Sequence, residues 1–293
     1  MYMKTKLKIR GEIFTGIIKY VGNNYKLVEV EGIDGNFEIA IKTRGLKNVQ
    51  KDDFYDFLYG MKTNSNFISI DCHNLKRFQF QGYILSLTEK EMILSEFDDN
   101  LNHLGYVRIK TEAVTSCIYD SESIAQLILS SQNRNDESQN IDLTLEKIYN
   151  EKSLSGFSYI KDSDGFLGAY VIYYEKDWVL LWLVDTKGQF DGYMMTARKN
   201  LYAIQSGIYF DNLAKALEMK GIISHDKIDL QASLRQVMSE ITLNTSKVIV
   251  QTKREKLSGQ MKNISNNGFD LYDFSDCKIA HLKLSQINFI VYE

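Results

Sequence analysis

The chain has 293 residues, of which 44% are apolar and 25% are charged, and its net charge at pH 7 is −3. This composition predicts a folded protein of two to four small domains rather than a disordered one. It disfavours a protein that coats duplex nucleic acid along its whole length, because such a protein would carry more positive charge.

No stretch of the sequence is suited to cross a membrane or to direct secretion. The longest apolar run, residues 178–184, is far shorter than the roughly 20 residues that span a bilayer. The N-terminal MYMKTKLKIR lacks the apolar centre of a secretory signal. Three scattered cysteines, Cys72, Cys117 and Cys277, predict reduced thiols and a cytoplasmic protein.

A strand pattern recurs four times along the chain, and each copy starts at a glycine: Gly16, Gly82, Gly168 or Gly259. Each copy has alternating apolar residues interrupted by short polar turns, as antiparallel strands do. A further strand precedes each glycine, namely KLKIR, FISID, FSYIK and KVIVQ. The sequence therefore predicts an internal repeat with five strands in each unit.

Aligning the four copies predicts equivalent core positions on the third strand of each unit. The predicted strand phase makes these side chains point into the unit. They are Trp178 and Leu180, Met92 and Leu94, Phe269 and Leu271, and Tyr25 and Leu27.

Short helices are predicted between the groups of strands. Residues 52–58, 121–129 and 210–221 follow the last strands of the first three units, and Asp211 is the predicted N-cap of the third of these helices. Residues 141–149 and 228–241 precede the third and fourth units. The apolar stripe of the last helix is expected to pack on its own unit; it comprises Leu230, Leu234, Val237, Met238 and Ile241.

The repeat divides the chain into four predicted domains. Residues 1–62 and 63–133 each form a barrel unit and a helix. Residues 134–217 form a linker, a helix, a barrel unit and a second helix, and residues 218–293 form a helix and a barrel unit. The polar segment 130–140 is the predicted flexible linker. The four divisions carry net charges of +3, −4, −3 and +1 in chain order.

The G-x-h-x-x-h segments at the four glycines, where h is apolar, resemble the small β-barrel of the Sm and Sm-like family and, more loosely, SH3-like barrels. The glycine lets the second strand bend sharply enough to serve both sheets of such a barrel. The resemblance implies a mainly β fold with short helices, built as a tandem repeat of four five-stranded barrels. Sm-like proteins mostly bind RNA through an Asp and an Asn around the first hairpin turn. Here those turns read GNN, TEKE, EKD and SNNG, with no consistent pair.

The sequence predicts no enzyme, because it contains no GxSxG, HExxH, P-loop or GxGxxG motif. The four histidines lie apart in the sequence, and no Cys–His pair has a second pair at zinc spacing. No catalytic residue, cofactor or metal site is therefore predicted. The turn with Asn263, Ser265 and Gly268 resembles one motif of the PilZ cyclic-dinucleotide domain. That family also uses two arginines four apart, whereas the nearby basic run supplies only Arg254.

Two groups of basic residues are candidate contacts to nucleic acid. The first group alternates along one strand and so points to one face; it comprises Lys4, Lys6, Lys8 and Arg10. That group indicates either a phosphate-binding edge or an edge strand that lysines protect from sheet addition. The second group lies near the start of the fourth unit and comprises Lys253, Arg254 and Lys256.

The leading hypothesis from the sequence is a non-enzymatic binding or scaffold protein with a protein partner, no membrane and no cofactor. Its partner would dock on apolar surface near the helix at 228–241. An RNA-binding Sm-like protein is the alternative, and its affinity would depend on the two outer, basic units because the inner units would repel phosphate. A cyclic-dinucleotide sensor acting through the fourth unit is the second alternative.

Overall fold

The computed structural model describes residues 4–9, 12–21, 25–32, 35–42, 53–72, 79–98, 100–119, 143–159, 166–222, 228, 230–243, 245 and 247–292. The chain divides into two compact units. Unit 1 comprises residues 1–141 and 161–165, and unit 2 comprises residues 142–160 and 166–293. Both units are mainly antiparallel β-structure, as the sequence predicts. The finer division at 62, 133 and 217 stays a prediction.

In unit 1, nine strands and one α-helix lie within the described residues. The strands are β1 (Lys4–Ile9), β2 (Glu12–Val21), β3 (Tyr25–Gly32), β4 (Gly35–Lys42), β5 (Phe67–Cys72), β6 (Gln79–Leu87), β7 (Glu91–Phe97), β8 (His103–Lys110) and β9 (Val114–Tyr119). Helix α1 (Asp53–Thr63) lies between β4 and β5, and a 3-10 helix (Thr111–Ala113) lies between β8 and β9. The strands pair in the order β1-β2-β3-β4-β9-β5-β6-β7-β8.

In unit 2, the described residues contain ten strands and three α-helices. The strands are β10 (Ser155–Tyr159), β11 (Leu167–Tyr174), β12 (Trp178–Val184), β13 (Phe190–Ala197), β14 (Leu201–Gly207), β15 (Val248–Thr252), β16 (Lys256–Lys262), β17 (Gly268–Asp273), β18 (Lys278–Lys283) and β19 (Ile287–Tyr292). The helices are α2 (Leu145–Glu151), α3 (Ile208–Met219) and α4 (Leu234–Leu243). Two 3-10 helices, Arg198–Asn200 and Leu284–Gln286, precede β14 and β19.

The strand order recurs along the chain. We call β1–β4 set one, β5–β9 set two, β10–β14 set three and β15–β19 set four. In sets two, three and four the first strand pairs with both the second and the fifth strand. Within each unit, a fourth strand also pairs with the fifth strand of the following set, as β4 does with β9 and β13 with β19. The all-antiparallel meander that the sequence predicts is therefore present in each set.

The helices differ in detail from their predicted bounds. The helix predicted at 52–58 is α1, which ends later, at Thr63, while the helix predicted at 121–129 lies outside the described residues. The third predicted helix is α3, which begins at Ile208, so Asp211 is not its N-cap. Gly207 takes that position with φ 139°, a conformation that favours glycine. Asp211 lies instead in the first turn, where its carboxylate faces the positive end of the helix dipole.

Six of the eight predicted third-strand core residues are buried, and Tyr25 and Leu27 are only half-buried. In set one the core consists of Val28 and Val30 together with Ile39, so the predicted phase is wrong there by one residue. Tyr25 instead packs beside α1, with its ring 6.0 Å from that of Phe54.

The phase is also wrong by one residue in set three, although Leu180 is fully buried. The Glu175 N–H donates to the Trp178 carbonyl just as the Thr88 N–H donates to the Glu91 carbonyl, which aligns Trp178 with Glu91 rather than with Met92. Every residue of β12 is buried, because one face lies in a cluster with α2 and the other in a cluster with α4 and set four. Burial on both faces removes the alternation from which the phase was predicted.

The apolar stripe of helix α4 packs on its own unit, as expected. Leu234, Val237, Met238 and Ile241 are buried in the cluster that also contains the core of set four. Leu230 lies before the helix and is exposed, so its predicted place in the stripe is wrong. The stripe itself is therefore not an accessible surface, while Leu243 at the end of α4 is exposed, and a partner near residues 228–241 stays a prediction. In the portion of the chain that the structure describes, no helix is long and apolar enough to cross a membrane.

Candidate functional site

A groove of about 990 Å³ opens between sets three and four of unit 2. Set three contributes the turn 175–177, Trp178 and residues 197–199. Set four contributes the turn residues 266–267 together with 283–285 and Ile287, and the start of α4 adds Ser233 and Leu234. This volume is at the upper end of the about 300–1,000 Å³ that is typical of pockets for small ligands.

The two walls of the groove are copies of one local structure, a turn hydrogen bonded to a 3-10 helix. In set three the Arg198 N–H donates to the Asp177 carbonyl at 2.8 Å, and in set four the Leu284 N–H donates to the Asn267 carbonyl at 2.9 Å. In each set, this hydrogen bond joins the turn that follows the second strand to the connection between the fourth and fifth strands. Side chains of both segments are therefore held at the same rim.

A bulge on β19 joins the walls beneath the groove. The register between β15 and β19 shifts next to Thr252 and leaves Asn288 as the extra residue. The Asn288 carbonyl accepts hydrogen bonds from Thr196 Oγ1 and from Asn200 Nδ2, both at 2.9 Å. Asn288 Nδ2 donates to the Thr252 carbonyl at 3.1 Å. Thr196 and Asn200 are buried, so this polar network fixes the position of set three against set four.

The start of helix α4 is held at the groove by side-chain hydrogen bonds. Tyr173 Oη donates to the Ala232 carbonyl at 3.0 Å. Burial and the neighbouring Glu175 carboxylate raise the pKa of Tyr173 to about 12, so its hydroxyl remains a donor at neutral pH. The Ser233 N–H donates to Gln236 Oε1 and the Gln236 N–H to Ser233 Oγ, which is a capping box. The positive end of this helix dipole therefore lies at the groove.

The charged side chains around the groove are mainly basic. Four basic residues, Lys176, Arg198, Lys199 and Lys283, line it with two acidic residues, Glu175 and Asp177. All four basic side chains are exposed, whereas the whole chain carries a net charge of −3. The groove is thus a local positive site on an acidic protein.

The second predicted basic group lies beside this groove. Lys253 and Arg254 are in the turn between β15 and β16, and Lys256 begins β16; all three are exposed. The Lys253 N–H donates to the Gln286 carbonyl at 3.3 Å, and Gln286 lies between the groove-lining residues Ser285 and Ile287. The structure therefore brings this turn and the groove to the same 3-10 helix.

The first predicted basic group belongs to unit 1. Lys4, Lys6 and Lys8 are alternate residues of β1, which pairs with β2, and the Lys6 side chain is exposed. The side chains of Lys4 and Lys8 and the whole of Arg10 lie outside the described residues. Alternation along β1 is thus confirmed for the backbone, and a phosphate-binding role stays a prediction.

The turn that resembles the PilZ motif uses its polar groups internally. Ser265 Oγ donates to the Gly268 carbonyl at 2.8 Å and accepts from the Gly268 N–H at 3.2 Å. Asn263 Nδ2 donates to Asp270 Oδ2 at 2.8 Å. These hydrogen bonds close the turn between β16 and β17 and account for its sequence without a ligand.

The cysteines and histidines form no cluster in the part of the chain that the structure describes, where no three His, Cys, Asp or Glu residues could hold a metal ion. Cys72 and Cys117 are buried, and Cys277 is exposed. No protein-family model matches the chain, and no curated protein matches it either.

Sequence reasoning missed the basic residues of the groove itself. Arg198 and Lys199 are adjacent, and the hydrogen bond from the Arg198 N–H to the Asp177 carbonyl holds the turn with Lys176 beside them. Lys283 is far from all three in sequence, and the pairing of β13 with β19 brings it to the same groove. A usable signal was present in the alignment of the copies. Aligning the segments between the fourth and fifth strands places Arg198, Lys199 and Lys283 on or beside the same short connection.

Proposed function

We propose that the protein is a non-enzymatic RNA-binding protein built from four small β-barrels, and that the groove between sets three and four binds single-stranded RNA. One observation carries this proposal: four basic side chains and the start of helix α4 converge on a groove in an otherwise acidic chain. In sets two, three and four, the pairing of the first strand with the second and fifth strands supports the barrel description.

The composition of the groove favours a nucleic acid strand over an apolar partner. Lysine and arginine side chains contact phosphates, and they supply most of the affinity of such complexes. The amide groups of Asn266 and Asn267 lie on the same rim, and amides can hydrogen bond to the edges of unstacked bases. The apolar stripe of α4, in contrast, is buried and is therefore not available to a partner.

A single strand fits the electrostatics better than a duplex. The groove is short, and its basic rim is surrounded by a chain with a net negative charge. A duplex carries about one charge per 1.7 Å along its axis, so a long rigid duplex would also run over acidic surface. A flexible strand can enter the groove and leave the acidic regions.

The test is a titration of fluorescein-labelled single-stranded RNA with the full chain at about 50 and 200 mM salt. Each phosphate contact to a single strand contributes about −0.7 to the slope of log K against log salt. Four contacts predict that affinity falls about 50-fold over this range, and one contact predicts about threefold. Replacing Lys176, Arg198 and Lys199 by Gln should therefore bring the salt effect from about 50-fold to about threefold.

The control replaces three exposed lysines of unit 2 that do not line the groove, Lys152, Lys187 and Lys215, by Gln and changes the net charge equally. Lys187 lies in the turn at the opposite end of β12 from Lys176, about 20 Å away for a strand of this length. The control should bind like the wild type. Absence of binding at 50 mM salt would refute the proposal. The proposal would also be refuted if the control variant lost the salt dependence while the groove variant kept it.

A further inference from the structure

Each unit contains two consecutive sets. In both units the fourth strand of the first set also pairs with a strand of the second set. β4 pairs with β9 and β13 pairs with β19. Ile39 lies opposite Ile118, and Met194 lies opposite Val291. Both pairs occur at the second residue from the end of the incoming strand, so the two pairings share one register.

β18 is the fourth strand of set four, and its outer edge is different. Within the described residues β18 pairs with β17 alone. Ala280 lies opposite Leu271 on β17, just as Met194 lies opposite Leu181 on β12. Ala280 therefore corresponds to Met194, and an incoming strand in the shared register would pair at Ala280. Four of the six β18 residues are exposed, including Ile279 at 60%. The strand therefore presents main-chain hydrogen-bonding groups along an open edge.

The outer face of set four shows which kind of partner fits this edge. In set three the outward residues of β11, β12 and β13 are apolar and buried beneath α4 and set four; they are Tyr170, Ile172, Leu180, Trp182 and Met195. In set four the corresponding residues are mostly polar; they are Gln260, Lys262, Asp270, Tyr272 and His281. A further complete set would find mostly polar surface to cover here, whereas a single extended strand needs only the edge.

The charges on β18 favour an incoming strand with negatively charged side chains. The strand carries Lys278, His281 and Lys283 and no acidic residue. The neighbouring strand carries two carboxylates. Asp270, opposite His281, is hydrogen bonded to Asn263 Nδ2 and to His281 Nδ1. Asp273, opposite Lys278, is buried and accepts a hydrogen bond from the Ser275 N–H. Lysines on an edge strand oppose the addition of neutral or basic strands, and they are complementary to acidic side chains on an incoming strand.

We propose that the outer edge of β18 binds an extended, acidic peptide segment of a partner protein. The segment adds as an antiparallel strand in the position that β9 takes beside β4 and that β19 takes beside β13. Backbone hydrogen bonds supply the affinity, and Lys278 and Lys283 supply the preference for acidic residues. Lys283 also borders the groove, but the peptide occupies the edge of β18 and its binding does not require RNA in the groove.

The probe for this proposal is a fluorescein-labelled peptide of about eight residues, the length of an ordinary strand, with Glu near each end and Val and Ile between, because Lys278 and Lys283 lie at the two ends of β18 and on opposite faces. Two matched peptides serve as controls. One carries N-methyl groups on alternate backbone amides, and the other has Lys in place of Glu. Fluorescence anisotropy with the full chain should show micromolar binding of the acidic peptide and at least tenfold weaker binding of both controls. Equal binding of the N-methylated peptide would refute strand addition.

The site is located with hydrogen exchange and with variants of the chain. Bound peptide should slow amide exchange in residues 278–283 several-fold. Lys278→Glu should weaken binding about threefold to tenfold, while Lys256→Glu, at an exposed position on β16, should not. Lys176→Gln with Arg198→Gln should leave peptide affinity unchanged, and a loss there would place the peptide in the groove and overturn the assignment. Self-association of the chain that Lys278→Glu abolishes, or protection of 278–281 by an RNA oligonucleotide instead of the peptide, would also overturn it.

Discussion

The carbonyl of Asn288 accepts hydrogen bonds from two buried donors, and the shared acceptor makes a specific prediction about stability. Thr196→Val removes one donor and Asn200→Ala removes the other. Each single variant leaves the carbonyl with one partner, so each should lower the free energy of unfolding of unit 2 by about 1 kcal/mol, the net value of one hydrogen bond.

The double variant leaves this carbonyl without either side-chain donor, and an unsatisfied buried group costs about 1–3 kcal/mol more. We therefore expect a loss of about 3–5 kcal/mol and a coupling energy of about 1–3 kcal/mol in the double-mutant cycle. Urea unfolding followed by tryptophan fluorescence reports on unit 2 alone, because both tryptophans, Trp178 and Trp182, lie in it. Strictly additive losses would show that the two donors do not share an acceptor.

Two further predictions follow from the titratable groups. In native protein only Cys277 should react rapidly with a thiol reagent, because burial raises the pKa of the other two thiols; Cys277→Ser should abolish the fast reaction, and a second fast thiol would contradict the burial. Hydrogen bonds from Asn263 and from His281 lower the pKa of Asp270 below its usual value of about 3.9. A lowered folded-state pKa stabilises the protein above about pH 4, and this stabilisation is lost as the pH falls further. The difference in unfolding free energy between wild type and Asp270→Asn should shrink from pH 5 to pH 3, with Asp276→Asn as the control, and a constant difference would argue against these bonds.

Strand content and strand order could be predicted from the sequence because they depend on local alternation and on turn residues. The four glycine-marked copies correspond to four second strands, β2, β6, β11 and β16. Strand phase could be predicted only where one face of the strand is exposed. Met92 and Leu94 alternate with half-buried residues. Strand β12 is buried throughout, so its buried and exposed positions do not alternate.

The candidate groove could not be predicted from the sequence, because the pairing of β13 with β19 joins residues about a hundred positions apart. No local pattern around Arg198 or Lys283 specifies that pairing. The basic turn at Lys253 was identified from its composition alone, and its place beside Gln286 depends on the pairing of β15 with β19, which puts Thr252 opposite Ile287.

The central claim is that RNA lies in the groove between sets three and four, and cross-linking tests it most directly. A single-stranded RNA containing 4-thiouridine is irradiated with the full chain, and the cross-linked peptides are identified by mass spectrometry. The structure predicts cross-links at residues 175–178, 198–199, 266–267 and 283–287, and these should disappear when Lys176, Arg198 and Lys199 are replaced by Gln. Cross-links confined to the strand that carries Lys4, Lys6 and Lys8, with none at the groove, would contradict the claim.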